Sequence, residues 1–457
     1  MNIKMIPTLI IAGTHSGCGK TTISSALMAA LVKRGFVVQP YKIGPDFIDP
    51  SHHTAICKRN SRNLDPYMMG EDGVRQTFIN ASSGADIAII EGVMGMYDGL
   101  EGEDTGSTAH VAKILNAPVI LVIDAKGSSR SVNAVARGFA SFDRDVNIAG
   151  VMFNRVGSSK HSEMIKASLE IQASGFIPNQ KEKSVKSRHL GLEMAHETSA
   201  MAEFAEILEE NADIDGLIQI AEFYAKIENT HFKDPKINKI FTEEKNSAKE
   251  EVTIAIAYDR AFNFYYQDNF DRLKKYGAKL IFFSPIDDSL PDADAFYFGG
   301  GYPELHMEKL ESSKCTTQIK IAANQDKVIY AECGGLTYLC RKITSDRKTF
   351  RMAGILPADV VKMDRFQALG YVSAKCTAKN CILDHNICYN GHEFHYTKLD
   401  CDRDVKFALE LSRGKGIDNG KDGIYQNNLL AGYTHAYFTD NFSKNLVEKI
   451  RIVKNNP

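Results

Sequence analysis

Short, unbroken apolar runs punctuate the first half of the chain, and segments of helical period separate them. Thr8-Leu9-Ile10-Ile11-Ala12 is the first run. After a glycine-rich stretch, Ile23, Leu27, Ala30 and Leu31 fall at i, i+4, i+7 and i+8. Phe36 to Ile43, Asp86 to Ile90, Val119 to Asp124 and Ile148 to Asn154 read as further strands. Continuous apolar runs mark strands buried on both faces, and their alternation with helices predicts a parallel sheet covered on both sides. Gly35 is placed to stop the first helix, and Ser107 to cap a helix holding His110, Ala112 and Leu115. From Phe232 to Glu251 the pattern lapses into a polar, charge-dense stretch. It reads as a linker, which predicts one domain over 1–231 and a second over 252–457. Val252 to Tyr258, Leu280 to Phe283 and Ala295 to Phe298 read as strands of that second domain.

Composition narrows the function class. The chain has 457 residues, 44% hydrophobic and 25% charged, with a net charge of −2. At about 150 residues per domain that allows two or three domains. The near-zero balance gives no global attraction for nucleic acid or a membrane surface. No apolar run approaches the roughly 20 residues of a membrane span. The first strand starts too early to leave room for a signal peptide, so a cytoplasmic location is expected. Nine cysteines, odd in number and without a paired C-x-x-C pattern, read as reduced thiols. Nothing in the sequence fixes an oligomeric state; a homodimer is compatible with it.

Chemistry enters at the turn between the first strand and helix, Gly13-Thr14-His15-Ser16-Gly17-Cys18-Gly19-Lys20-Thr21-Thr22. Strand, glycine-rich turn and helix make a phosphate-binding loop. Gly13, Thr14, Gly17 and Gly19 would offer backbone N–H groups, with the positive helix end behind them. Lys20 would bridge the β- and γ-phosphates, Thr21 would ligate Mg²⁺, and Thr22 completes the nucleotide-binding set. Thr14 stands where most such loops have Gly. A glycine-rich turn that binds nothing would not require strand, glycines, Lys-Thr-Thr and helix to agree. A second strand delivers Lys42-Ile43-Gly44-Pro45-Asp46-Phe47-Ile48-Asp49-Pro50, whose two prolines exclude a continuous helix and predict a shaped loop. Asp46 and Asp49 there are suited to a metal or a reacting group, or merely to a solvated turn. The strand ending in Glu91 has a Walker-B-like carboxylate, followed by Gly92-Val93-Met94-Gly95-Met96-Tyr97-Asp98-Gly99.

In the second half, Gly299-Gly300-Gly301 at a strand end is suited to oxyanion donors. Lys327 to Leu336 reads as a strand, a sharp turn bearing Cys333, and a helix, which is a nucleophile elbow. The helix N-terminus is expected to favour the thiolate. A lone Cys is more often a small buried hydrophobe, but the elbow and the glycines reverse that. His435 lies in Gly432-Tyr433-Thr434-His435-Ala436-Tyr437-Phe438 and would serve as base. Gly391-His392-Glu393-Phe394-His395-Tyr396 invites a metal reading. However, it lacks H-E-x-x-H spacing and i, i+3 on a strand face opposite ways, so a structural or substrate-facing role is favoured.

Together the loop at Gly13 to Thr22, Lys42 to Pro50 and Glu91 to Gly99 resemble the cobyrinate a,c-diamide synthase family, including the Ni-sirohydrochlorin a,c-diamide synthases of methanogens. The nucleotide fold of that family is similar to dethiobiotin synthetase, which also has Thr in its loop. The second half resembles a class I glutamine amidotransferase domain. The resemblance implies an α/β fold: a P-loop NTPase-like parallel-sheet domain, then an amidotransferase-like α/β domain. It implies ATP as co-substrate, Mg²⁺, L-glutamine as nitrogen donor, and phosphorylation of ring carboxylates on cobyrinate or Ni-sirohydrochlorin, in cobalamin or coenzyme F430 biosynthesis. Asp46 and Glu91 would be linked to Mg²⁺, with Asp49 and Asp98 near the acyl-phosphate chemistry. Cys333 would attack glutamine, His435 would relay protons, and Gly300 and Gly334 would form the oxyanion hole. Phe47 stands where the family often has Tyr, and Tyr437 where many class I members have Glu, which leaves the orienter of His435 open. Two other readings are a cobyric acid synthase-type enzyme and a partitioning-type ATPase switch. The switch has no use for Cys333, and the blocks at Gly44 and Glu91 favour the a,c-diamide pattern.

Overall fold

The computed structural model describes residues 6–179, 194–231, 251–379 and 382–456. Two compact units divide the chain, Met1–Glu243 and Glu244–Pro457. The expected linker at 232–251 lies, apart from Glu251, outside the described residues.

The first unit holds seven strands: β1 (Thr8–Gly13), β2 (Val38–Ile43), β3 (Arg62–Leu64), β4 (Ile87–Glu91), β5 (Val119–Asp124), β6 (Ile148–Val156) and β7 (Ala173–Pro178). Their order is β3-β2-β4-β1-β5-β6-β7 and every pairing is parallel. The expected parallel sheet is therefore present, with β3 and β7 added. These two were missed because they are short or lack a dense apolar run. Burial explains the unbroken runs. Ile10, Ala12, Val119 and Leu121 pack on one face, and Leu9, Ile11, Leu27 and Leu31 on the other. The register sets Ile11 beside Glu91 and Lys42 beside Glu91. The loops after β1, β2 and β4 thus share the carboxyl edge, where ligands bind in open parallel sheets.

Helix α1 (Lys20–Lys33) follows the glycine-rich loop, and Gly35 beyond it has φ 90°, as a helix stop requires. Ser107 caps the helix Thr108–Leu115 by accepting from His110 N at 2.9 Å. One expectation fails. Residues after Asp46 do not form an open loop: α2 (Ile48–Cys57) begins there and contains Pro50. Proline is tolerated because first-turn N–H groups have no intrahelical partner. Asp46 Oδ1 accepts from Ile48 N at 2.8 Å and Asp49 N at 3.2 Å, satisfying that turn.

The second unit carries β8 (Val252–Ala257), β9 (Ala278–Phe283), β10 (Ala295–Phe298), β11 (Val328–Glu332), β12 (Lys342–Ser345), β13 (Lys348–Arg351), β14 (Ala358–Lys362), β15 (Ala368–Cys376), β16 (Cys388–His395), β17 (Thr397–Cys401), β18 (Phe407–Arg413), β19 (Lys421–Gln426), β20 (Leu429–Gly432) and β21 (His435–Ala436). A ten-stranded mixed sheet has the order β21-β16-β15-β18-β19-β20-β11-β10-β8-β9, and β13-β12-β14-β17 form a smaller one. The parallel half, β20-β11-β10-β8-β9, carries the glycine and cysteine turns at its carboxyl ends. Among the described residues no helix is long and apolar enough to cross a membrane.

Candidate active sites

Among the described residues, each unit presents a candidate site. In the first, backbone constraint makes the loop. Gly17 and Gly19 have φ 84° and 101°, a region L side chains rarely adopt. A Cβ on Gly13 would run into Cys18 Sγ, and one on Gly19 into the Asn154 amide. Asn154 Nδ2 donates to Cys18 O at 2.9 Å, and Arg155, paired with Asp124, donates to Gly17 O at 2.9 Å. The end of β6 therefore braces the loop from outside, a role with no local signature in the sequence. The turn after β4 closes against it: Met96 N donates to Gly13 O at 2.8 Å. Lys20 is buried, and among the described residues no carboxylate lies within ion-pair distance of its ammonium. Burial, with repulsion from Lys42, holds it below its ordinary 10.5. It is available to an incoming anion.

Behind the loop sits a buried charge cluster. The Thr21 hydroxyl donates to Glu91 Oε1, and Lys42 Nζ lies 2.8 Å from the same oxygen. Lys42 also reaches Asp49 Oδ2 at 2.8 Å and Gly92 O at 3.1 Å. His53 Nε2 lies 2.8 Å from Glu91 Oε2, with both side chains inaccessible to solvent. Burial alone would raise the Glu91 pKa, but Lys42 and His53 outweigh it and hold the group well below 4.5. Lys42 and His53 thereby join the predicted residues of this site. His53 had no signal in its spacing, since it meets Glu91 only once α2 packs on β2, the neighbour of β4 in the sheet.

The remaining predicted residues of this unit separate. Asp49 is buried in the cluster, whereas Asp46 caps α2 and is half-buried. Asp98 is exposed and accepts from Gly95 N at 2.9 Å, so it shapes its own turn. A Mg²⁺ ion suits the pairing of the Thr21 hydroxyl with the Glu91 carboxylate, two hard oxygen donors directly behind the loop. Among the described residues no group of three or more His, Cys, Asp or Glu could hold a metal by itself. Mg²⁺ commonly takes one or two carboxylates and completes its shell with phosphate and water.

In the second unit, Cys333 follows β11 with φ 45° and ψ −99°, the strained turn of a nucleophile elbow, and leads straight into the helix Gly334–Leu339. Its Sγ lies 3.6 Å from Phe394 O. The thiolate expectation is corrected. Burial pushes the thiol above its ordinary 9.0 and Glu304 adds to the rise, while the Gly334 N–H opposes it. One short helix does not offset removal from water. Of the two glycines expected to form the oxyanion hole, Gly334 lies beside Cys333 and Gly300 does not line the same cavity. Gly301 and Gly334 line a cavity with Cys333, whereas Gly300 abuts the His435 ring, where a Cβ would collide.

His435 is buried on β21, opposite His392 on β16. The two rings stack at 4.8 Å and 16°, and Tyr266 OH meets His392 Nδ1 at 2.7 Å. Burial, with the neighbouring His392 and His395, keeps His435 neutral, well below 6.5. Tyr437, where an acid was missing, is engaged elsewhere, with Asp268 at 2.8 Å and Arg272 at 3.0 Å. Glu332 is a residue the sequence reading passed over. Its Oε1 accepts from Ala436 N at 3.0 Å and Tyr330 OH at 2.8 Å, and its Oε2 from Tyr297 OH at 2.8 Å. It ties the residue before Cys333 to the residue after His435. Burial raises its pKa to about 8 despite those bonds. Gly391 to His395 lie on β16, as expected, and Tyr396 is the bend that leads to β17. Glu393 accepts from Lys415 N and Gly416 N, and His395 stacks on Tyr433 at 3.5 Å.

The architecture defines a class: a nucleotide-binding domain of the P-loop type followed by a glutamine amidotransferase domain. Residues 9–192 match the CobQ/CobB/MinD/ParA nucleotide binding domain, and 253–442 match the CobB/CobQ-like glutamine amidotransferase domain. Proteins named cobyrinate a,c-diamide synthase align along nearly the whole chain. One from Archaeoglobus fulgidus is 42% identical, covering 95% of this chain and 94% of its own. One from Methanosarcina barkeri is 39% identical (98% and 97%), and one from Methanocaldococcus jannaschii 41% (95% and 96%). The chain belongs to the cobyrinate a,c-diamide synthase family.

Proposed function

We propose that this chain uses ATP and L-glutamine to convert the a and c carboxylates of cobyrinate to amides, in cobalamin biosynthesis, with residues 1–231 as the synthetase and 252–457 as the amidotransferase. The observation that carries the reading is the pairing, in one polypeptide, of an uncompensated Lys20 above the Lys42–Glu91–Asp49 cluster with a strained Cys333 in a cavity. A switch ATPase needs the first and not the second.

In the amidotransferase half, Cys333 Sγ attacks the glutamine side-chain carbonyl as its proton passes to His435. The Gly301 and Gly334 backbone faces the developing oxyanion. The C–N bond breaks, ammonia leaves with the proton, and water then hydrolyses the thioester to glutamate. In the synthetase half, a ring carboxylate oxygen takes the γ-phosphoryl of ATP, releasing ADP. Ammonia adds to the acyl carbon and phosphate departs. Lys20 and the loop N–H groups neutralise the transferring phosphoryl, and Lys42, held by Glu91 and Asp49, adds a fixed positive charge beside it. Mg²⁺, when bound by Thr21 and Glu91 with Asp46 nearby, would supply further charge neutralisation. Family relatives carry the cobyrinate name; Ni-sirohydrochlorin, for coenzyme F430, is the competing acceptor.

The test is Cys333→Ala. Glutamine-dependent amidation is expected to vanish while free ammonia still supports product. Equal loss with both donors overturns the division of labour. ADP release measured with cobyrinate and with Ni-sirohydrochlorin then assigns the acceptor, since the true one stimulates turnover.

A further inference from the structure

The Cys333 cavity has one wall group that the scheme above does not use. Glu304 lines it together with Cys333, Gly301 and His395. Its carboxylate is half-buried, and among the described residues no cation lies within ion-pair distance. Lys362 acts on it only as a more distant charge. His395 adds no positive charge. Burial lowers it to about 4, and its Nδ1 is engaged with Thr397 O at 2.8 Å. Glu304 is thus the one carboxylate on a wall that supplies no cation of its own.

Removing a carboxylate from water without a partner is costly, and such groups are retained where a ligand completes them. Burial raises Glu304 to about 7, against a hydrogen bond from its own backbone N–H. Glutamine carries its reactive amide at one end and an ammonium at the other. With the amide carbon at Cys333, a cation on the far end needs an anion on the same wall.

We propose that Glu304 receives the α-ammonium of L-glutamine and sets the enzyme's preference for an α-amino acid as nitrogen donor. This rests on the assignment of Cys333 as the glutamine nucleophile. Glu304 has a second effect: its charge disfavours the Cys333 thiolate. A docked ammonium cancels that charge, so the nucleophile is released where substrate is present.

The test compares glutaminase kcat/KM for L-glutamine with that for glutaramate, the same amide without the α-amino group. In the wild type glutamine is preferred, and Glu304→Gln should collapse the preference by roughly tenfold to a hundredfold, the worth of one charged hydrogen bond. Glu304→Asp, which keeps the charge, should restore part of it. Because the readout is a ratio within one preparation, partial unfolding leaves it unchanged. A preference that survives both substitutions overturns the proposal. Failure of the underlying reading shows separately, as glutaminase activity that persists in Cys333→Ala.

Discussion

Glu91→Gln tests how the buried cluster holds the first site together. The substitution keeps the side chain's shape and removes its charge. In the folded protein Glu91 accepts from the Thr21 hydroxyl, lies 2.8 Å from Lys42 Nζ and 2.8 Å from His53 Nε2, and has no solvent exposure. Removing one partner of a buried ion pair generally costs about 3–5 kcal/mol because a charge is left unpaired. Lys42 retains Asp49 at 2.8 Å, so the expected loss is smaller, about 1–3 kcal/mol, as for a buried hydrogen-bond partner. That corresponds to a fall of roughly 2–12 °C in Tm for a domain of 150–250 residues. Calorimetry on the whole chain reads it. The pH dependence gives a second, signed readout. Because Glu91 is held well below its ordinary 4.5, its contribution is present above that value. It is lost as pH falls through the folded pKa. Wild type should therefore lose its advantage over Glu91→Gln in acid, and the two stability curves should converge. Mg-ATP turnover should fall while glutaminase activity at Cys333 persists. A variant with unchanged Tm, a parallel acid limb and full ATP turnover would refute the reasoning.

The second unit gives two further tests. Gly300→Ala places a Cβ against the His435 ring, so glutaminase activity should drop at least tenfold while ammonia-dependent amidation is kept; equal activity with glutamine would show that the ring tolerates displacement. The Cys333 thiol, raised by burial and by Glu304, should react with iodoacetamide only in alkaline buffer in the absence of glutamine. Glu304→Gln should move that onset to lower pH, and an onset unchanged between the two proteins would remove Glu304 as a cause.

The phosphate loop was legible because its information is contiguous. Apolar run, positive-φ glycines, Lys20 and helix all lie between Thr8 and Leu31, and each constrains its neighbours through the backbone. The elbow at Cys333 was legible for the same reason: strand, small residues and helix adjoin. The Ser107 cap and the Gly35 stop are equally local. Where the reading slipped, a local rule met a tertiary one. Pro50 signals a break, yet the first helical turn accepts it. The helix end behind Cys333 favours a thiolate, yet enclosure in the protein prevails.

What the sequence determined, then, was the kind of backbone at each functional turn and the order of strands and helices that carries them. The tertiary structure decided which side chains meet. Lys42, His53 and Glu91 come from two strands and a helix, and only the order β2-β4-β1 with α2 packed over it makes them one cluster. Glu332 reaches Ala436 across more than a hundred residues, and Glu304 lines the same cavity as Cys333, which no spacing announces. The reason is physical. Backbone preference acts between adjacent residues and is written in their spacing, whereas charge pairing and desolvation act through space and exist only once distant segments have excluded water together.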